Sequence, residues 1–364
     1  VEFFSLVVVN KTLGSDFFQN ALSKIESEYI FFVGDECHRH GAEGIAQKLP
    51  DARFRLGLSA TPYREASGDD FDLREEDENL PKDRLIKYYG DEVAYYGLHD
   101  ALLDGVLTPY NYYLNVIYLT IEETDAYMEL SKQIGRFLSI DKGPENGALN
   151  NAIRKRNKIV ANAEGKLSAL KNLLAESQFT EKSYTLFYVG EGKPGLDDDD
   201  DLREYSEDED TQLDKVAGVI KAEGWKVSSF TAKESPKDRQ KIMNSFTDGS
   251  IDGLVSMRVL DEGIDIPKCQ RAFILASSRN SRQFIQRRGR ILRRYPGKEL
   301  AHIYDFLVAP SPLNRSEPGI SLVKNELKRA MDFVVLASNS NDAGFEARKI
   351  AEQFGIDIME IKRV

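Results

Sequence analysis

Tyr29-Ile30-Phe31-Phe32-Val33-Gly34-Asp35-Glu36-Cys37-His38 runs a block of apolar residues into a glycine and then two carboxylates. A continuous apolar run that stops at a turn residue predicts a strand buried on both faces, as in a parallel sheet. Its carboxyl end would carry Asp35 and Glu36, where open α/β sheets hold their ligands. Arg53 to Leu58 predicts another strand, ending in Ser59-Ala60-Thr61. Upstream, Phe3 to Val9 reads as a buried parallel strand, followed by Lys11-Thr12-Leu13 and a helix from about Phe17 to Ser27. Strands alternating with short helices predict an α/β fold with doubly wound parallel sheets.

The same reading continues downstream. Gly105 suits a helix C-terminus and Pro109 stops its continuation. From Glu122 to about Leu174 the pattern is largely helical, broken by a loop at Asp141 to Gly147. Strands are predicted at Tyr184 to Val189, Lys226 to Phe230, Gly253 to Ser256 and Arg271 to Leu275. After a proline-containing stretch, Pro310 to Pro318, two helices are expected at about Leu322 to Leu336 and Gly344 to Phe354. Trp225 and the tyrosines of Tyr110 to Tyr118 have the spacing of core strand packing rather than of a base-stacking surface.

Bulk composition narrows the class. A chain of 364 residues with 41% hydrophobic and 10% aromatic residues is long enough for two cored domains. No apolar run approaches the roughly 20 residues of a membrane helix. The start at Val1, inside an apolar stretch without an initiator Met or signal-peptide flank, reads as part of a longer polypeptide. Two distant cysteines, Cys37 and Cys269, give no disulfide framework and point to a reducing, cytoplasmic setting. The net charge of −11 is concentrated: Glu65–Glu78 contributes −7 and Asp197–Asp210 contributes −9, leaving the rest of the chain at +5. Such blocks are expected to be solvated loops, with mimicry of a nucleic acid as the functional alternative.

Four ordered segments carry a resemblance: Asp35-Glu36-Cys37-His38, Ser59-Ala60-Thr61, Asp261 to Pro267 and Gln286-Arg287-Arg288-Gly289-Arg290-Ile291-Leu292-Arg293. They are similar to the D-E-x-H, S-A-T, G-x-D-x-P and Q-R-x-G-R-x-x-R motifs of superfamily 2 helicases, nucleic-acid-dependent ATPases with two RecA-like domains. Tyr95 to Tyr110 resembles the segment closing the first domain in the XPB-like and restriction-subunit branch. The resemblance implies the C-terminal part of a first RecA-like domain over 1–108 and a helical linker or insertion over 109–165. A second RecA-like domain over 166–310 and a C-terminal helical extension over 311–364 complete the division. No G-x-x-x-x-G-K-[ST] phosphate loop occurs in the sequence. The segment alone is therefore expected to be inactive, and the ATP hydrolase to need that loop from elsewhere.

Roles follow from the resemblance. Asp35 would hold Mg2+, usually through water, and Glu36 would activate the attacking water. His38 would couple the nucleotide site to the facing domain. Ser59 and Thr61 would bond the acidic loop, Gly263 would let the backbone approach ATP, and Asp265 would touch its ribose. Gln286, Arg290 and Arg293 complete the catalytic set, the arginines being spaced to reach a transferring phosphate. Lys11, Thr12, Thr231, Lys233 and Ser256 would contact nucleic acid, with DNA favoured over RNA by family analogy. Reading Cys37, His38 and His40 as metal ligands is the alternative for that turn. A partner nuclease or effector in a restriction or anti-phage defence system is implied, with no membrane role. The rival function is a nucleic-acid-binding module that has lost the phosphate loop.

Overall fold

The computed structural model describes residues 4–60, 62, 79–139, 147–176, 181–189, 207–231, 233–257, 266, 268–275 and 289–361. It divides into two compact units, Val1–Tyr95 and Tyr96–Val364. The break falls before residue 108, the boundary expected from sequence.

In the first unit, β1 (Phe31–Gly34) pairs in parallel with β2 (Phe54–Gly57), Phe31 opposite Phe54 and Gly34 opposite Gly57. One face of this pair packs on the helix Asn79–Tyr89: Phe32 meets Tyr88 edge-on at 6.0 Å, and Arg55 lies over the Tyr88 ring at 4.6 Å. Glycine is required on this face. A Cβ at Gly34 would sit 2.1 Å from the Tyr89 hydroxyl, and one at Gly57 would sit 3.0 Å from Cys37 Sγ. The other face, Phe31, Val33, Phe54 and Leu56, is 37–63% exposed. The strand expected at Phe3 to Val9 is not formed: Phe4–Val9 is irregular, with Val7 97% exposed. Apolar composition alone does not make a strand. A ladder needs a neighbour, and β1 and β2 pair only with each other among the described residues.

The second unit is built on six parallel strands. These are β3 (Tyr110–Tyr118), β4 (Thr185–Tyr188), β5 (Val227–Phe230), β6 (Gly253–Ser256), β7 (Arg271–Ile274) and β8 (Ala301–Ala309), in the order β3-β8-β7-β4-β6-β5. Both faces are covered, which is why the central strands read as unbroken apolar runs. On one face Tyr112, Leu186, Leu254 and Ile303 pack with Phe333 and Ile350 of the helices Glu317–Val334 and Ser340–Gln353. On the other, Phe187, Val255, Phe273 and Phe306 pack with Leu170 and Val216. Phe187, Phe273, Tyr304 and Tyr113 stack across neighbouring strands, with ring centroids 4.7–4.9 Å apart.

Four expectations change here. The segment assigned to a helical linker begins with β3, which joins this sheet; its helices are Ile121–Ser139 and Gly147–Ala161. β8 was not expected. The residues beyond 311 are not an appendage, since their two helices supply part of the core. They are tied to the sheet by a buried polar cluster in which Arg329 pairs with Asp305 and Glu326, while Tyr112 donates to Asp305 (2.6 Å). Burial and then the Asp305 charge push the Tyr112 phenol well above its ordinary value. The acidic block at 65–78 lies outside the described residues. Of the second block, residues 207–210 open the helix Glu207–Ala222 instead of a loop.

Candidate functional site

β1 delivers its acidic pair onto a tight turn. Glu36 has φ +49°, in the left-handed region, and the residues around it are pinned to β2: Leu58 N–H donates to Gly34 O (2.8 Å) and Cys37 N–H to Leu58 O (2.9 Å). A non-glycine residue there carries backbone strain, which clusters at functional sites. Asp35 is exposed at the strand's carboxyl end, and its Oδ1 accepts the Glu36 N–H (3.0 Å). An exposed carboxylate so placed fits the water-mediated magnesium contact expected of it.

Three of the expected site residues come together in this unit. His38 Nδ1 stands 3.0 Å from Ser59 Oγ and 3.3 Å from Glu36 Oε2. The imidazole is only 6% exposed, and its Nε2 is buried without a hydrogen-bond partner among the described residues. One ring nitrogen therefore serves both the acidic turn and the Ser59 turn, and the tautomer decides which it favours.

The sequence offers His40, two residues on, only as a candidate metal ligand. The structure gives it other work. Its Nδ1 is 2.6 Å from the Tyr89 hydroxyl and its Nε2 is 3.2 Å from Asn10 Oδ1. Asn10 Oδ1 can only accept, so Nε2–H donates to it, and in the neutral ring Nδ1 then accepts from the phenol. Burial, with His38 nearby, lowers its pKa to about 4, in agreement. Asn10 begins the helix Asn10–Leu13, on which Lys11 and Thr12 are both exposed, so His40 ties that helix to the acidic turn. Burial, then the Glu36 charge, pushes the Cys37 thiol up, away from a metal-binding thiolate. Among the described residues no group of three or more His, Cys, Asp or Glu could hold a metal ion.

In the second unit, residues 289–291 are helical, so Arg290 lies within the turn. Arg293 lies beyond its end, exposed and bridged antiparallel to Leu107. The expected nucleic-acid contacts are placed unequally. Lys233 is exposed. Thr231 is 5% exposed; its N–H donates to Glu234 Oε2 (2.6 Å) and its hydroxyl to the same oxygen (2.9 Å). Ser256 ends β6 fully buried, its hydroxyl without a hydrogen-bond partner among the described residues. Lys237, Arg239 and Lys241 share the helix Pro236–Thr247, with Lys241 paired to Asp238 at 3.1 Å. Thr61, Gly263, Asp265 and Gln286 lie outside the described residues. Trp225, 2% exposed and edge-on to Phe187, is core.

Comparison with known proteins matches each unit separately. Residues 4–64 match the family described as type III restriction enzyme, res subunit, and residues 204–295 match the helicase conserved C-terminal domain. The chain is 25% identical over 293 residues to the DNA 3'-5' translocase XPB2 of Sulfurisphaera tokodaii, covering 74% of this chain and 57% of that protein. It is 27% identical over 124 residues to Dicer-like protein 2 of Coccidioides immitis, covering 34% of this chain and 9% of that one. The chain thus spans little more than half the length of the first relative and far less of the second. In fold it is similar to the ATP-dependent Type ISP restriction-modification enzyme LlaBIII bound to DNA. The TM-score there is 0.54 at 16% identity, over 98% of this chain and 25% of that one.

Proposed function

We propose, for a chain that belongs to the superfamily 2 helicases in the branch of XPB translocases and type III restriction subunits, an ATP-driven motor acting on DNA. The observation that carries the reading is the junction at His38, where one imidazole nitrogen faces both Glu36 and Ser59. A base that must move with nucleotide state needs such a connection, whereas a plain acidic turn does not.

In this reading Asp35 orients the metal's water shell and Glu36 takes the proton of the attacking water. Magnesium, when bound with ATP, supplies charge neutralisation on the phosphates. Arg290 and Arg293 supply positive charge to the transferring phosphoryl group, with Gln286, Gly263, Asp265 and Thr61 completing the set. Lys11, Thr12 and Lys233, exposed on their elements, contact the nucleic-acid backbone. Thr231 and Ser256 as placed serve it less directly, being buried. Val1–Tyr95 corresponds to part of the first RecA-like domain and Tyr96–Val364 contains the second.

DNA as the track is supported by the relatives, one named a DNA translocase and one a restriction enzyme bound to DNA. The restriction relatives also favour work beside a nuclease or other effector in anti-phage defence, in the cytoplasm. Among the described residues no helix is long and apolar enough to cross a membrane. ATP hydrolysis by the full-length protein is the test, measured alone and with duplex DNA, single-stranded DNA or RNA. Stimulation by DNA of about tenfold or more, weakening as salt rises, is expected. Equal or greater stimulation by RNA would reject DNA as the track, and a DNA-binding protein with no hydrolysis would favour the binding-module alternative.

A further inference from the structure

The backbone that carries Arg293 is fastened at three successive carbonyls. Lys298 Nζ donates to Ile291 O (2.5 Å) and to Arg293 O (2.9 Å). Thr108 N–H donates to Leu292 O (2.7 Å), and the Thr108 hydroxyl to Arg293 O (3.3 Å). Ile291 and Leu292 are fully buried, Thr108 is 0% exposed and Lys298 is 7% exposed, yet Arg293 itself is exposed. The result is an exposed arginine on an immobilised base.

The local sequence explains how Lys298 arrives there. Tyr295-Pro296-Gly297-Lys298 closes a turn through Lys298 N–H to Tyr295 O (2.9 Å), with proline second and Gly297 third at φ +81°. Those are the residues a type II turn requires. The turn folds the lysine back under the arginine segment. Burial pushes the Lys298 ammonium below the ordinary lysine value, opposed by Cys269. Taking an ammonium out of water is costly, and a neutral donor would do for a plain turn. Here the charge is directed at the two carbonyls that flank Leu292.

We propose that Lys298 is a positioning residue for Arg293, fixing the backbone from which the guanidinium reaches a transferring phosphate. Thr108 is its second anchor, through the Leu107–Arg293 bridge. The assignment rests on the reading of Arg293 as a phosphate-stabilising arginine. An arginine that must meet charge developing only in the transition state loses its effect when its base moves by an ångström. Lys298 therefore acts on kcat and leaves ATP affinity nearly alone.

The test is steady-state ATP hydrolysis by the full-length protein with Lys298→Met, Lys298→Arg and Arg293→Ala as single changes, and with Lys298→Met and Arg293→Ala combined. Lys298→Met is expected to lower kcat about 10- to 100-fold with KM for ATP changed less than about threefold, and Lys298→Arg to recover most of the loss. Introduced into Arg293→Ala, the lysine change adds less than about threefold, because both act through one guanidinium. Full kcat in Lys298→Met, or losses that simply multiply, overturns the proposal and leaves the motor reading standing. Absence of hydrolysis in the wild type strikes the motor reading instead. The clamp is then judged by amide hydrogen exchange at residues 289–294, expected about tenfold faster in Lys298→Met; unchanged exchange overturns it. Should Lys298→Met not fold, Thr108→Val removes one hydroxyl alone. A kcat loss absorbed by Arg293→Ala in the same way supports the clamp, and an additive loss overturns it.

Discussion

Replacing Glu36 by glutamine is expected to lower kcat for ATP hydrolysis by about a hundred- to ten-thousand-fold while leaving KM for ATP within about threefold. The substitution keeps size and hydrogen-bonding capacity, so the left-handed turn at φ +49° and its bonds to β2 survive. What is lost is the basic oxygen that can take a proton from water. The change also removes the negative charge that faces His38 Nδ1 at 3.3 Å, beside Ser59 at 3.0 Å. Retention of kcat within about threefold would show that Glu36 is not the base. A rise in KM matching the fall in kcat/KM would show that it acts on binding.

Removing the guanidinium with Arg293→Ala is expected to cost about a thousandfold in kcat, the range of arginines that stabilise transferring phosphates. Arg293→Lys should recover little, because an ammonium lacks the planar fork that meets two phosphate oxygens. The fold should tolerate both changes, since the side chain is exposed and Lys298 and Thr108 grip only the backbone. Steady-state kinetics beside thermal unfolding separates the outcomes. Loss of activity with an unchanged melting transition supports the role. Activity within about threefold of wild type would make Arg293 a surface cation.

What the sequence showed, and where it fell short, has a physical pattern. β6 and β7 were legible because a strand buried on both faces is apolar at every position, as Leu254-Val255 and Ala272-Phe273 are. β8 is not legible because His302 and Asp305 interrupt its run, and Asp305 is tolerated there through Arg329 of the helix Glu317–Val334 and Tyr112 of β3. Phe3 to Val9 failed for the opposite reason: its composition suits a strand, but pairing is a property of neighbours. The acidic turn was legible from its spacing to Ser59-Ala60-Thr61, and the structure shows the bond that this spacing permits, between His38 and Ser59. His40 and Lys298 could not be found that way. His40 acts through Asn10 and Tyr89, far off in sequence, and Lys298 through carbonyls seven and five residues back that no motif encodes, the Pro296-Gly297 turn ahead of Lys298 being a usable hint. Ser256 shows the converse, a position matched by motif whose side chain is wholly buried.

The central claim is movement along DNA driven by ATP, and displacement of a third strand from duplex DNA tests it most directly. The full-length protein is placed on a duplex bearing a triplex-forming oligonucleotide, and release is followed with ATP, without ATP, and with Glu36→Gln. Release that needs ATP and is abolished by the substitution is the predicted result. Tight DNA binding with no ATP-dependent release in wild type would contradict the claim and leave a protein that holds DNA without moving on it.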